Sequence, residues 1–351
     1  MDSIESVSMN FQVKEKLVSY ILLNDGLINN TFLLKYSKGR SYILQKINTN
    51  IFSHPKKIMS NIQRVSNHLI KKRQQSLEII LTKDNEMTYV DNGNYWRMYK
   101  YIQKGKTLKE VSSSKQCYSL GLAIGLFHKS LEDFPVRKLD VILSDFHNTQ
   151  RVYDDFLAAI KKNSNNRIIT AKHEITFLKS RKDKYGIIQN LIENEKIPIR
   201  VCHNDTKFSN ILLNKDTEQP IALIDLDTLM PHTILFDFGD AVRALSAGHN
   251  ENETNLKKVN FNIRFFESFT KGFLKNLSNM LSTIEIKHLA FSCLLITLEQ
   301  AMRFLTDFLE GDIYYKTSSS QNLKRARNQI HLAKQMEKNM REMEEIICKF
   351  S

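Results

Sequence analysis

Val201-Cys202-His203-Asn204-Asp205-Thr206-Lys207-Phe208-Ser209-Asn210, followed by Ile221-Ala222-Leu223-Ile224-Asp225-Leu226-Asp227, is the stretch around which the rest of the chain is read. An acid, Asp205, precedes an amide, Asn210, by five residues, and a second acid, Asp225, stands fifteen residues further on, closing an apolar run. Such a set suits phosphoryl transfer, where catalysis is mostly positioning and charge neutralisation. Asp205 is placed to orient a substrate hydroxyl and take its proton. Asn210 and Asp225 offer hard oxygen ligands to Mg²⁺, which keeps several waters and prefers oxygen. Taken singly, each residue has a plainer reading: Asp and Asn cap helices and shape turns. All three in this order and spacing favour the chemical reading.

In protein kinases the same tasks fall to His-Arg-Asp-x4-Asn and Asp-Phe-Gly. Here the first motif reads His203-Asn204-Asp205-x4-Asn210 and the second ends Asp225-Leu226-Asp227. The stretch resembles the aminoglycoside phosphotransferase and choline kinase superfamily, which shares the protein-kinase fold. His203 to Lys207, Ile224 to Pro231 and Asp237-Phe238-Gly239-Asp240 resemble most closely its N-acetylhexosamine 1-kinase branch. The resemblance implies an α+β, two-lobed fold. A small antiparallel-sheet lobe over residues 1–101 would clamp ATP, and a large, mainly helical lobe over 102–351 would carry catalysis and the acceptor. It implies ATP and Mg²⁺ as cofactors and a sugar 1-kinase, acting on the anomeric hydroxyl of N-acetylglucosamine or N-acetylgalactosamine. Asp237-Phe238-Gly239 is not read as the metal motif, because Asp225 already follows an apolar strand at the right distance from Asn210. Resemblance makes Asp237 an anchor for the catalytic loop, with Arg243 as its neighbour.

The whole-chain totals agree with a large folded protein. A length of 351 residues favours two lobes, and a hydrophobic share of 42% with 20 Phe supplies core for both. Cys117, Cys202, Cys293 and Cys348 are far apart, without a Cys-x-x-Cys pair, which argues against a zinc site or a disulfide framework. The N-terminus lacks a signal-peptide pattern, and no run approaches the ~20 apolar residues of a membrane span. A cytoplasmic protein with no membrane partner is expected, as a monomer or a homodimer. The formal charge of +13 invites a nucleic-acid reading, but the basic residues are scattered and no nucleic-acid motif accompanies them. A solvated basic surface is the expectation.

Along the small lobe, residues 11–19 read as a short helix. The cluster Asn24-Asp25-Gly26-Leu27-Ile28-Asn29-Asn30 between apolar runs reads as a hairpin turn. At the corresponding place in the kinase fold, backbone amides cover the ATP phosphates, which makes Gly26 and Asn30 candidates for nucleotide contact. The next strand, Tyr42 to Ile47, carries Lys46 in the slot where a lysine meets the α- and β-phosphates; a solvent-facing lysine is the alternative. A helix follows over about 55–73. It lacks the acid that pairs with the strand lysine in protein kinases, and Asn67 is the nearest polar stand-in. The run Trp96 to Ile102 falls at the passage between lobes, so Tyr99 and Tyr101 are candidates for the adenine side.

The large lobe reads as helices over about 115–131, 149–161, 171–181, 184–195, 254–282, 285–309 and 320–349, with a short strand delivering His203. Two readings stand for His203: contact with substrate, or hydrogen bonds that hold the catalytic loop. Two stand for Lys207: neutralising the moving phosphoryl group, or facing solvent. Asp227 is a candidate for the sugar or a second metal. Arg303 with Tyr314 resembles the acceptor side of the hexosamine kinases; the alternative is an arginine paired with Asp307 one turn on. A different acceptor within the superfamily (choline, ethanolamine, an amino acid or an aminoglycoside) stays open, as does a nucleotide-binding pseudokinase.

Overall fold

The computed structural model describes residues 3–23, 29–162, 166–246, 252–277, 279–315 and 320–351. It is an α+β structure with an N-terminal antiparallel sheet and a helical C-terminal part. Helix α1 (Ile4–Ser8) precedes strands β1 (Leu17–Leu23), β2 (Asn30–Tyr36) and β3 (Ser41–Ile47). Helix α2 (Pro55–Lys71) follows, then β4 (Ile79–Ile80), β5 (Tyr89–Asp91) and β6 (Asn94–Lys100). The strands make one sheet in the order β1-β2-β3-β6-β4, with β5 also on β6, and every pairing is antiparallel.

The helix expected over 11–19 is not formed. Phe11 bridges to Thr82, and Leu17 already pairs with Tyr36 in β1. Val13 and Leu17 have helical spacing, but ladder hydrogen bonds to β2 outweigh a period seen over one turn.

Alternation along β3 assigns its two faces. Tyr42 and Leu44 join Leu34, Tyr36, Trp96 and Met98 in a cluster closed by Val7 and Phe11. Ile47 and Tyr99 belong to the main core, with Ile58, Met59 and Ile62 of α2. Helix α2 starts with Pro55 in its first turn, and Ile58, Met59, Ile62, Val65 and Leu69 form the apolar stripe that it buries.

Strand β7 (Gly105–Lys106) belongs to the other lobe, pairing with β9 (Ile211–Asn214), which pairs with β10 (Pro220–Leu223). The chain therefore crosses between Lys100 and Gly105. Strand β8 (Arg200–Cys202) pairs with β11 (Met230–His232). Around these short sheets lie α3 (Ser114–Ser130), α4 (Thr149–Lys162), α5 (Lys172–Lys179), α6 (Lys182–Tyr185) and α7 (Ile187–Glu193). Helices α8 (Ile234–Ser246), α9 (Ile263–Leu274), α10 (Thr283–Glu310) and α11 (Gln321–Phe350) complete the lobe.

Two expected helices are shorter. The one over 184–195 divides at Gly186 into α6 and α7. The one over 254–282 contracts to α9, because the Asn262 side chain accepts from the amides of Arg264 and Phe265 and caps the helix there. Helix α10 carries a full capping box, Ser282 with Glu285, and ends on Gly311 at φ 111°. It is long and apolar enough by composition to span a membrane, contrary to the expectation that no run would be. However, 78% of its most apolar window is buried inside the fold, so it is a core helix.

Candidate active site

The loop His203 to Asn210, the candidate catalytic loop, hangs between β8 and β9, and a buried carboxylate holds it. Asp237, near the start of α8, accepts from the amide of His203 at 2.9 Å and that of Asn204 at 2.7 Å, and its Oδ2 lies 2.9 Å from His128 Nε2. Burial works against its charge, but His128 and the loop donors outweigh that and keep its carboxyl below the usual range. Asn204 sits at φ 64°, a left-handed conformation that Asn tolerates, and its amide nitrogen donates to Thr228 O at 2.9 Å. His203 Nε2 donates to Ile224 O at 2.9 Å, while its Nδ1 accepts from the Asp205 amide at 3.2 Å. His203 thus ties its loop to Ile224, the residue between the end of β10 and Asp225. Arg243, expected as a neighbour of Asp237, pairs with Asp240 at 2.8 Å. His128, Cys202 and Asp237 lie close enough to suggest a metal trio. Asp237 is already engaged by three donors, and burial pushes the Cys202 thiol up, so the trio reads as the loop's anchor.

Asp205, Lys207, Asn210 and Asp225 are brought together. Lys207 Nζ donates to Asp205 Oδ2 at 2.8 Å, and Asn210 Nδ2 donates to the same oxygen at 3.0 Å. Burial opposes ionisation of Asp205, but Lys207, His203 and Asn210 prevail and hold its carboxyl below the usual range. Among the described residues no hydrogen-bond donor engages its Oδ1. Asn210 spends its side-chain nitrogen on Asp205, so its side-chain oxygen Oδ1 is the atom that could meet a ligand. The Ile224 amide donates to Asn210 O at 2.9 Å, and pairing of Ile211 with Leu223 sets the end of β10 beside the start of β9. Asp225 follows at φ 60°. Burial, Asp227 and Asp205 push its carboxyl up to about 6. A buried acid crowded by two other acids is a group that a divalent cation would relieve, so the residues present fit Mg²⁺.

The small-lobe candidates fare differently. Gly26 lies outside the described residues. Asn30 opens β2, is exposed, and pairs across the ladder with Lys46. Lys46 alternates with Gln45 and so shares the face of Tyr42 and Leu44, opposite to α2. No acid among the described residues pairs with it. The alternation of Leu44 and Lys46 onto one face, with Gln45 on the other, is that expected of the strand. Asn67 is exposed, and it is Asn61 that connects α2 to the large lobe, donating to Asp140 O at 2.8 Å and to Leu229 O at 2.9 Å. Tyr99 is buried with its hydroxyl 3.8 Å from Met59 Sδ, and the Tyr101 amide donates to Ser41 O at 3.1 Å.

Asp227, expected to face the sugar or a second metal, is held by the small lobe through both oxygens. Arg97 Nη1 donates to Oδ1, Arg97 Nη2 to Oδ2 at 3.0 Å, and Asn29 Nδ2 to Oδ2 at 2.7 Å. The sequence reading missed Arg97. The signal was a charge on the inward-facing side of a strand, between Trp96 and Met98.

Arg303 belongs to a second polar group. It pairs with Glu299 at 2.9 Å, one turn back in α10, and not with Asp307. Asp307 accepts from the amides of Tyr314 and Tyr315 at 2.7 and 3.0 Å, fixing the segment after the helix. Burial opposes the charge of Glu299, but Arg303 and His147 bring its carboxyl down to about 2. His147 lies 3.0 Å from Glu299 and 2.9 Å from Asn204 O, so this group connects with the residue before Asp205. Arg303 Nε is buried without a hydrogen-bond partner among the described residues, and its guanidinium sits over the Phe146 ring at 5.1 Å. Tyr314 is 61% exposed. Neither His147 nor Glu299 stands out in the sequence, because their meeting depends on how α10 packs against the loop before α4.

A model of the phosphotransferase enzyme family matches residues 19–258. The chain belongs to that family. As a member of the phosphotransferase enzyme family it is an ATP-dependent small-molecule kinase. Solved structures share the fold. A microcompartment-associated aminopropanol kinase aligns over 97% of both chains at 16% identity, with a TM-score of 0.67. An aminoglycoside phosphotransferase from Alicyclobacillus acidocaldarius aligns over 99% of this phosphotransferase and 97% of that chain, at 13% identity and TM-score 0.64. The amicoumacin kinase hAmiN, in complex with AMP-PNP, Ca²⁺ and Ami, covers 95% of this chain and 96% of its own, at 14% identity and TM-score 0.61.

Proposed function

We propose that this phosphotransferase transfers the terminal phosphoryl group of ATP to the anomeric hydroxyl of an N-acetylhexosamine, N-acetylglucosamine or N-acetylgalactosamine, giving the sugar 1-phosphate. The observation that carries the reaction class is the Asp205 carboxylate. One oxygen is held by Lys207 and Asn210, and the other is left to accept a hydroxyl proton. Asn210 and Asp225 would hold Mg²⁺, which supplies charge neutralisation at the phosphates. Lys207 serves by keeping Asp205 ionised and adding a positive charge beside the transferring group.

The acceptor assignment rests on the motif resemblance and on Arg303. A pocket for a cationic amine should present free acids. Here the acid beside Arg303, Glu299, is occupied by Arg303, His147 and Thr149, so the group offers donors. Donors without a spare carboxylate suit a neutral, hydroxyl- and carbonyl-bearing sugar. Tyr314 adds an exposed ring beside this group.

The test is a mass-spectrometric screen with ATP and Mg²⁺ against pooled amino sugars, and separately against choline, ethanolamine, amino acids and aminoglycosides. A hexosamine 1-phosphate is the expected product. Phosphocholine, phosphoethanolamine or a phosphorylated antibiotic in its place would transfer the chemistry to another acceptor. Nucleotide binding without turnover of any acceptor would point to a pseudokinase.

A further inference from the structure

Among the described residues of the small lobe, Lys46 has no acid paired with it of the kind that aligns the phosphates in protein kinases. Lys46 faces away from α2, and α2 contains neither Asp nor Glu. A buried ion pair of another construction stands between the lobes. Arg97 is 1% exposed and Asp227 is 3% exposed. The guanidinium takes both oxygens of Asp227, while its Nε donates to Gln45 Oε1 at 3.0 Å. Gln45 in turn donates to Thr31 Oγ1 at 2.9 Å. Asn29 donates to Asp227 and accepts from the Asn48 amide at 3.0 Å. Strands β2, β3 and β6 thus converge on one carboxylate of the large lobe.

That carboxylate lies two residues past Asp225, and the turn between them is gripped from both sides. From the large lobe, His203 holds Ile224 O and Asn204 holds Thr228 O. From the small lobe, Asn61 of α2 holds Leu229 O, and Arg97 holds Asp227. Arg97 also acts electrostatically on Asp225 itself. The guanidinium suits this place better than an ammonium would. It is planar, keeps its charge when buried, and forms two parallel bonds to a carboxylate while still donating from Nε.

We propose that Arg97 is a positioning residue that replaces the strand lysine and its helix acid: through Asp227 it fixes the Asp225 turn relative to the small lobe, coupling the nucleotide-covering sheet to the metal ligand. This deepens the kinase reading and rests on it. Any separation of the lobes would break the buried pair and release the Asp225 turn from the small lobe. Buried pairs of this kind stabilise little against apolar replacement, but losing one partner is costly. That is the behaviour of a device that specifies one lobe arrangement.

The experiment compares wild type with Arg97→Gln, Asp227→Asn, the double variant Arg97→Gln/Asp227→Asn, and Lys46→Met. Arg97→Gln alone leaves Asp227 buried without a counter-charge and is prone to unfold. The double variant places two amides that can hydrogen-bond and carries no buried lone charge, so it is the decisive one. Calorimetry measures AMP-PNP affinity with and without Mg²⁺, which needs no acceptor. The expected result is a folded double variant that binds metal-free AMP-PNP within about threefold of wild type but loses at least tenfold of the gain that Mg²⁺ confers. Lys46→Met loses less of that gain than the double variant. Equal weakening with and without Mg²⁺, an unchanged Mg²⁺ gain, or a larger loss from Lys46→Met would overturn the proposal. A wild type that binds no Mg²⁺–nucleotide would instead remove the kinase reading beneath it.

Discussion

Lys207 Nζ lies 2.8 Å from Asp205 Oδ2, two residues away on the same loop, and Asn210 donates to the same oxygen. The pair fixes the acid's protonation state as well as its rotamer. Asp205→Asn should lower kcat by ~10²–10⁴ if the carboxylate takes the acceptor proton. Lys207→Met removes the main force that offsets burial, so the Asp205 carboxyl rises. The acidic limb of the kcat/KM pH profile should therefore move to higher pH in Lys207→Met. A limb that stays in place would show that Asp205 is not the titrating group.

Metal affinity should depend on pH through Asp225. Its carboxyl is raised to about 6 in the folded protein by burial and by Asp227 and Asp205. An acid raised on folding favours the native state below its unfolded pKa near 3.9, and that contribution is lost as pH rises through about 6. The metal-free protein is therefore burdened by about 3 kcal/mol above pH 6, taking ~1.4 kcal/mol per unit. Mg²⁺ binds the ionised form, so apparent affinity should climb between about pH 5 and 7 and flatten above that. Titrations monitored by thermal shift at pH 5.5 and 7.5 measure this, and Asp225→Asn should remove the dependence.

Acid should weaken the fold through His232. Its Nε2 donates to Phe146 O at 3.0 Å and its Nδ1 accepts from the Thr233 amide at 2.9 Å, which fixes the neutral ring. Burial, with His147 nearby, lowers its pKa to about 4. The unfolded chain takes up a proton near pH 6.5 while the native protein does not, so stability present above 6.5 falls progressively down to about 4. The full loss is about 3 kcal/mol. Chemical denaturation at pH 7 and pH 4.5 should show a smaller difference between the two in His232→Asn than in wild type.

Helix α3 crosses α9 at glycines. A Cβ on Gly121 would stand 2.1 Å from Phe269 O, and one on Gly272 would stand 2.1 Å from Tyr118 O. Backbone carbonyls cannot yield as a side-chain tip can. Gly121→Ala should destabilise by about 1–3 kcal/mol despite its gain in helix propensity, read as a lower denaturation midpoint.

Residues close in sequence were the most legible. Asp205, Asn210 and Asp225 were found from spacing, since one loop and one hairpin carry them and short strands leave little freedom in where they end. The helices over 55–71 and 283–310 were visible because each buries a stripe repeated over many turns. The stretch 11–19 misled because one turn of helical spacing cannot be told from a strand's edge.

What the sequence alone determined is that Asp205, Asn210 and Asp225 come together, because local spacing sets which side chains can converge there. Tertiary structure decided which small-lobe cation meets Asp227. Lys46 and Arg97 lie on adjacent strands, and each is one residue away from the other face of the sheet. Only strand register, with Gln45 opposite Arg97 and Lys46 opposite Trp96, turns the arginine toward Asp227 and the lysine away. A period of two makes a single-residue offset reverse the side on which a charge acts. Register is set by partners far along the chain.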